Sequence, residues 1–216
     1  MLPGEIETVT VEAIEQGVRG AAACIEQQVR DPVLTRIPDG ARIVSIDGWA
    51  GAGKTTIGRI VASALGAALV DLDDHLVREQ GSFLDSLRLP EVVSAIADGL
   101  AGSGHVVVTG CMVDLVLERA GFIADFRVYV VRISGMVSVP EYESLDRYEE
   151  LCGEKTADKL IAEQEASARR FAKYEGRPVE PGVSALPGLA QELIGYHKSR
   201  RPHFSANLIV RVKRLS

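Results

Sequence analysis

The stretch Arg42-Ile-Val-Ser-Ile-Asp47, followed by Gly48-Trp-Ala-Gly-Ala-Gly-Lys-Thr55, decides how this chain reads. Its first part is a short apolar run ending at a glycine, the pattern of a buried strand. Its second part meets GxxxxGK[ST] through Gly48, Gly53, Lys54 and Thr55. From Lys54 onward Ile57, Ile60, Val61 and Ala64 recur at helical spacing, and Gly66 supplies a stop. A glycine-rich loop between a strand and a helix is the context in which this pattern binds phosphate.

Each part of the loop has a physical task. Gly48, Gly51 and Gly53, with the small Ala50 and Ala52, let the backbone take unusual dihedrals and approach a ligand closely. Successive N–H groups then converge as an anion nest, and the helix start adds its positive dipole end. Lys54 is expected to reach the β- and γ-phosphates of ATP, Thr55 to ligate Mg2+, and Thr56 to contact the α-phosphate. Trp49 reads equally as a lid on the nucleotide or as a packing residue.

Working outward, residues 68–72, 105–109, 126–133 and 207–212 are further apolar strand segments. Residues 89–100, 141–175 and 189–199 carry helical patterns. Near-continuous apolar strands separated by helices imply a parallel sheet covered on both faces, with ligands beyond the carboxyl ends of its strands. The expectation is an α/β three-layer fold around a five-stranded parallel sheet. Residues 5–30 read as an amphipathic helix through Val9, Ala13, Val18, Ala21, Ile25 and Val29, and Asp31-Pro32 then marks a connection. This divides the chain into an N-terminal helix and connection over 1–38 and a main domain over 39–216. The apolar face of that helix must be covered, by the main domain or by a second copy in a homodimer.

Composition narrows the class. The chain has 216 residues, 46% hydrophobic and 25% charged, ordinary for a soluble globular protein. Thirty acidic residues against 24 basic ones give a formal charge of −6, which argues against nucleic acid as the main partner. Cys24, Cys111 and Cys152 are odd in number and widely spaced, so neither a disulfide framework nor a zinc site is expected, and a reducing cytoplasm fits. The N-terminal residues are acidic where a secretory leader needs bases. The longest apolar run, 60–70, is too short to span a membrane.

Val70-Asp-Leu-Asp-Asp-His75 closes the second strand. Three neighbouring aspartates repel one another, so stability alone does not account for them. At a strand's carboxyl end a carboxylate can accept a proton from an attacking hydroxyl or hold magnesium. Alternatively, Asp73 or Asp74 caps the segment that follows. His75 is a substrate contact or a structural residue.

IDGWAGAGKTT, a helix, and then VDLDDHL together resemble the uridine kinase-like branch of the P-loop nucleoside and nucleotide kinases. The tail Arg200-Arg-Pro-His-Phe-Ser-Ala-Asn-Leu-Ile-Val210 is similar to that family's ending. The resemblance covers about 40–212. It implies a kinase that uses ATP and Mg2+ to phosphorylate a hydroxyl of a small molecule. It places the catalytic base, also a magnesium ligand, at Asp73, with Asp74 beside it. It implies a helical lid over about 141–180, with Arg169 and Arg170 over the transferring phosphate. Arg88, with Asp74 and His75, falls where such kinases contact substrate. Thr109-Gly110 departs from the family's acidic residue and glycine, so a second magnesium carboxylate is missing or comes from Asp73, Asp74 or Asp114. The aromatic pair that follows the acidic motif in that family is His75-Leu76 here. The alternatives are an ATP-binding switch without an acceptor and a kinase acting on a macromolecule.

Overall fold

The apolar run after Arg42 forms the central strand β2 (Ile43–Gly48), in which all six residues are buried. Parallel neighbours flank it, β4 (Val106–Thr109) on one side and β5 (Phe126–Ser134) on the other. Beyond β4 lies β3 (Ala68–Asp71); beyond β5 lie β6 (Leu208–Arg214) and then β1 (Glu7–Ala13). The sheet therefore has six strands in the order β1-β6-β5-β2-β4-β3, parallel throughout. The computed structural model describes residues 6–13, 21–77, 82–134, 166, 169–170, 172–176 and 188–214.

A parallel sheet must be covered on both faces, and pleat alternation divides the work. Val44 and Ile46 of β2, Val128 and Val130 of β5, and Val107 of β4 pack against α1 (Ala21–Leu34) and α2 (Lys54–Leu65) through Val29, Val33, Ile57 and Val61. On the opposite face, Ile43, Val106 and Val108 pack against α4 (Leu89–Gly102), α5 (Val113–Arg119) and α6 (Gly188–Arg200) through Val92, Ile96, Val116 and Leu193. The short helices α3 (Phe83–Ser86) and α7 (Pro202–Ser205) complete the connections. Chain order reverses beside β2, since β3 and β4 lie to one side and β5 to the other. That switch opens a crevice at the strand ends, where such sheets take ligands.

The N-terminal reading needs correction. Residues 7–13 are not helical; they form the edge strand β1, with Val9 opposite Val210 and Val11 opposite Val212. In Thr8-Val-Thr-Val11 every residue is β-branched, and the apolar ones alternate with period two, which favours a strand. The described helix, Ala21–Leu34, runs through Pro32, past the expected break at residue 31. Val29 and Val33 of this helix are fully buried, in one cluster with Ile57 and Val61 of α2. An ion pair between Arg36 and Glu7 ties the helix exit to β1. The sheet thus has six strands, not five. The helix α5 was not foreseen at all. The lid expected over 141–180 lies largely outside the described residues; within it Ala166, Arg169, Arg170 and 172–174 are helical.

Candidate active site at the phosphate loop

The loop between β2 and α2 has the backbone that its glycines predict. Gly51 and Gly53 take φ of 79° and 98°, and Gly53 is the N-cap residue of α2 in the left-handed conformation. Gly48 is required for a different reason. A Cβ there would lie 2.3 Å from the carbonyl oxygen of Val130, so only glycine lets β2 pass β5 this closely. Ala52 is buried, Ala50 and Thr56 are exposed, and Thr55 is half-buried in the first turn of α2. Lys54 is buried, and its ammonium donates a 2.6 Å hydrogen bond to the Trp49 carbonyl. The Trp49 ring leans toward His197, with centroids 5.2 Å apart.

The acidic segment meets the loop from β3. Leu72–His75 is a single 3-10 turn. Asp71 does the capping, accepting from the Asp73 backbone N–H at 3.3 Å. Asp73 and Asp74 are left exposed. The Asp73 carboxyl is held above its ordinary range by loss of hydration and by the charge of Asp71, and Lys54 opposes that rise. Lys54 also acts on the Cys111 thiol, which burial pushes up and which feels Asp47 and Asp73 as well. Lys54, Asp73, Cys111 and Asp47 therefore share one neighbourhood at the carboxyl edge of the sheet.

Arg88 has a defined local role. Its guanidinium donates to the carbonyls of Asp74 at 3.0 Å and His75 at 3.3 Å, and pairs with Glu91 at 3.2 Å. It shapes the 3-10 turn that presents Asp73 and Asp74. His75 is half-buried, its Nδ1 3.6 Å from Glu91. Asp114 is turned to the other face of the sheet, where it pairs with Arg127 at 3.1 Å and accepts from Ser45 at 3.3 Å. Thr109, at the end of β4, is fully buried, and its hydroxyl has no hydrogen-bond partner among the described residues. Its Cβ would be 3.2 Å from a side chain at Gly58, so α2 lies directly over it. Of the two arginines expected in a lid, Arg169 is half-buried and Arg170 exposed.

Two residues were missed from sequence, Asp47 and Tyr196. Asp47 is buried and accepts from the N–H groups of Gly48 at 2.7 Å, Met112 at 3.1 Å and Val113 at 3.1 Å. Its fourth donor is the Tyr196 hydroxyl, at 2.6 Å. Burial raises the Asp47 pKa to about 6, although the Tyr196 and Gly48 hydrogen bonds pull it down. The available signal was a carboxylate ending an otherwise buried strand, directly before the glycine loop. For Tyr196 no local signal existed, because α6 is distant in sequence.

Magnesium fits these residues. It prefers hard oxygen donors and often keeps only one or two protein ligands, the rest being water and phosphate. The Thr55 hydroxyl and the Asp73 carboxylate supply that kind of donor beside the nest. Among the described residues no group of three or more His, Cys, Asp or Glu could hold a metal by itself.

Comparison with known proteins agrees with this chemistry. The family model described as shikimate kinase matches residues 50–86, which span the loop, α2, β3 and the acidic turn. A shikimate kinase from Geobacter sulfurreducens is 29% identical over 174 residues, covering 72% of this chain and 94% of its own. Among solved structures, one titled as a possible uridine kinase from Bacillus stearothermophilus aligns with a TM-score of 0.32 and 15% identity. That alignment covers 54% of this chain and 83% of the other, and at that score it adds nothing to the fold described above. The loop, with the strand and helix that hold it, and the two sequence matches make this chain similar to the P-loop kinases, phosphotransferases that use ATP and Mg2+.

Proposed function

We propose that the chain transfers the γ-phosphoryl group of ATP to a hydroxyl of a small molecule bound between the phosphate loop and the turn at Leu72–His75. The observation that carries this reading is that Lys54, in the first turn after the glycine loop, and Asp73, on the turn after β3, stand at one edge of the sheet, near enough for the Lys54 charge to act on the Asp73 carboxyl. A cation for the phosphates and a carboxylate for the acceptor hydroxyl are what such a transfer needs.

In this reading the N–H groups of residues 50, 51 and 53–56 cradle the phosphates, and Gly48, its own N–H held by Asp47, opens the loop. Lys54 leaves the Trp49 carbonyl to pair with the β- and γ-phosphates. Asp73 orients the acceptor hydroxyl and takes its proton as the oxygen–phosphorus bond forms and the bond to ADP breaks. Thr55 and Asp73 would hold magnesium, which when bound neutralises charge on the phosphate oxygens. Asp74 and His75 line the acceptor side, on a turn supported by Arg88. Arg169 and Arg170 belong to a lid that brings positive charge over the transferring group and excludes water.

The acceptor class is tested by a panel of nucleosides, nucleoside monophosphates and hydroxylated carboxylic acids, shikimate among them, each with ATP and magnesium. Acceptor-dependent ADP release supports the reading. A second reading, an ATP-binding switch with no acceptor, draws support from Thr109, which leaves the end of β4 without a carboxylate. Tight ATP binding with no acceptor-dependent ADP would favour it. Labelled phosphate on RNA, DNA or protein would instead indicate a macromolecular acceptor.

A further inference from the structure

A buried carboxylate is costly, and an apolar side chain of similar volume is often as stable in its place. Asp47 therefore needs an explanation beyond stability. Its four hydrogen bonds join three separate parts of the fold. Oδ1 accepts from Gly48, the first residue of the phosphate loop, and from Met112 in the turn between β4 and α5. Oδ2 accepts from Val113, the first residue of α5, and from the Tyr196 hydroxyl of α6. The turn it grips is strained, since Met112 has φ of 57° and ψ of 35°, a left-handed conformation that non-glycine residues avoid. Cys111 in the same turn borders Lys54.

We propose that Asp47 and Tyr196 are positioning residues for phosphoryl transfer, a clamp that holds Gly48 against the β4–α5 turn and so sets the mouth of the phosphate nest. This rests on the function proposed above. Neither residue touches the nucleotide; each acts through the backbone of the loop. The groups facing the Asp47 carboxylate are the three N–H donors, Tyr196 from α6, Asp114 from α5, Lys54 from α2, and Cys111. Burial and the Asp47 charge push the Tyr196 hydroxyl's pKa far up, so it keeps its proton and remains a donor. Protonating Asp47 removes acceptor capacity from a site with four donors, which loosens the clamp on the acid side. Removing the Tyr196 hydroxyl takes away a bond that favours the ionised form, and moves that loosening to higher pH.

The test uses the full chain and two mild substitutions, Tyr196→Phe and Asp47→Asn, with two readouts. Hydrogen exchange of peptides covering 46–49 and 111–114, without nucleotide, reads the clamp itself. Calorimetric titration of Mg-ATP between pH 5 and 8 reads its effect on the nest. Exchange should quicken in both variants. At pH 7 Tyr196→Phe should bind Mg-ATP about tenfold more weakly, as for loss of one charge-assisted hydrogen bond. Its acid-side fall in affinity should begin at higher pH than in the parent. Asp47→Asn should keep only the pH dependence contributed by the nucleotide. Unchanged affinities and pH profiles in both variants, beside a parent that binds Mg-ATP, would overturn the clamp. A parent that binds no Mg-ATP would overturn the functional reading first, and its own titration shows that directly.

Discussion

The Lys54 ammonium donates its 2.6 Å hydrogen bond to the carbonyl of Trp49, so the lysine proposed to bind phosphate is folded onto its own loop. A triphosphate entering the nest must replace that carbonyl as the acceptor. Trp49 is the only tryptophan in the chain, so its fluorescence reports this exchange. Mg-ATP should change the emission of the parent in a saturable way. Lys54→Ala should weaken binding by roughly tenfold to a hundredfold, the range for one hydrogen bond to a charged group. An unchanged dissociation constant would remove Lys54 from the nest.

Asp73 is exposed beside Lys54, and its backbone is already capped by Asp71, so its side chain is not needed to hold the turn. Asp73→Asn should therefore leave thermal stability and ATP affinity close to those of the parent. Acceptor-dependent ADP release should drop about 10²- to 10⁴-fold, the usual contribution of a positioned general base. Undiminished turnover with the same acceptor would take Asp73 out of the mechanism.

Two buried groups give stability opposite dependences on pH. His197 donates from Nδ1 to the Leu193 carbonyl and accepts at Nε2 from the Tyr129 hydroxyl, and burial lowers its pKa from 6.5 to about 4. Between those values the unfolded chain holds more protons, so this term is lost as pH falls from about 6.5 toward 4. Asp47 is raised from 3.8 to about 6, so there the native state holds more protons and stability rises as pH falls through that window. Asp47→Asn removes the opposing term. Urea unfolding should then show the variant losing about 1–2 kcal/mol more than the parent between pH 7 and pH 5. Equal losses would mean that Asp47 does not titrate in that range.

β1 and α1 complete the sheet and its cover, because β1 pairs along β6 and α1 packs against α2. A chain beginning at residue 36 would expose the backbone edge of β6 and the face that Val29 and Val33 bury. It should associate on size-exclusion chromatography and lose cooperative thermal unfolding. A monomeric, cooperatively folding product would show that the sheet is complete without β1.

The parts of this protein that are local in sequence were legible there. The loop announces itself because strand, glycines, Lys54 and helix are contiguous, and each has a physical reason to stand where it does. The aspartates of 71–74 were legible as a charged cluster at a strand end, although the cap fell to Asp71 and not to Asp73 or Asp74. Residues 5–30 were misread because Val9, Ala13 and Val18 also fit helical spacing, while the deciding partner, β6, lies some 200 residues away. The clamp at Asp47 was hidden for the same reason. One of its donors lies in the turn after β4, one opens α5 and a third comes from α6, contacts that no local pattern encodes.

The most direct test of the whole account is calorimetric titration of Mg-ATP into the parent, Asp73→Asn and Lys54→Ala proteins under one set of conditions. The account predicts one-site uptake by the parent and by Asp73→Asn with similar affinity, and uptake by Lys54→Ala weakened roughly tenfold to a hundredfold. A parent that takes up no Mg-ATP, or a Lys54→Ala protein that binds it as the parent does, would contradict it.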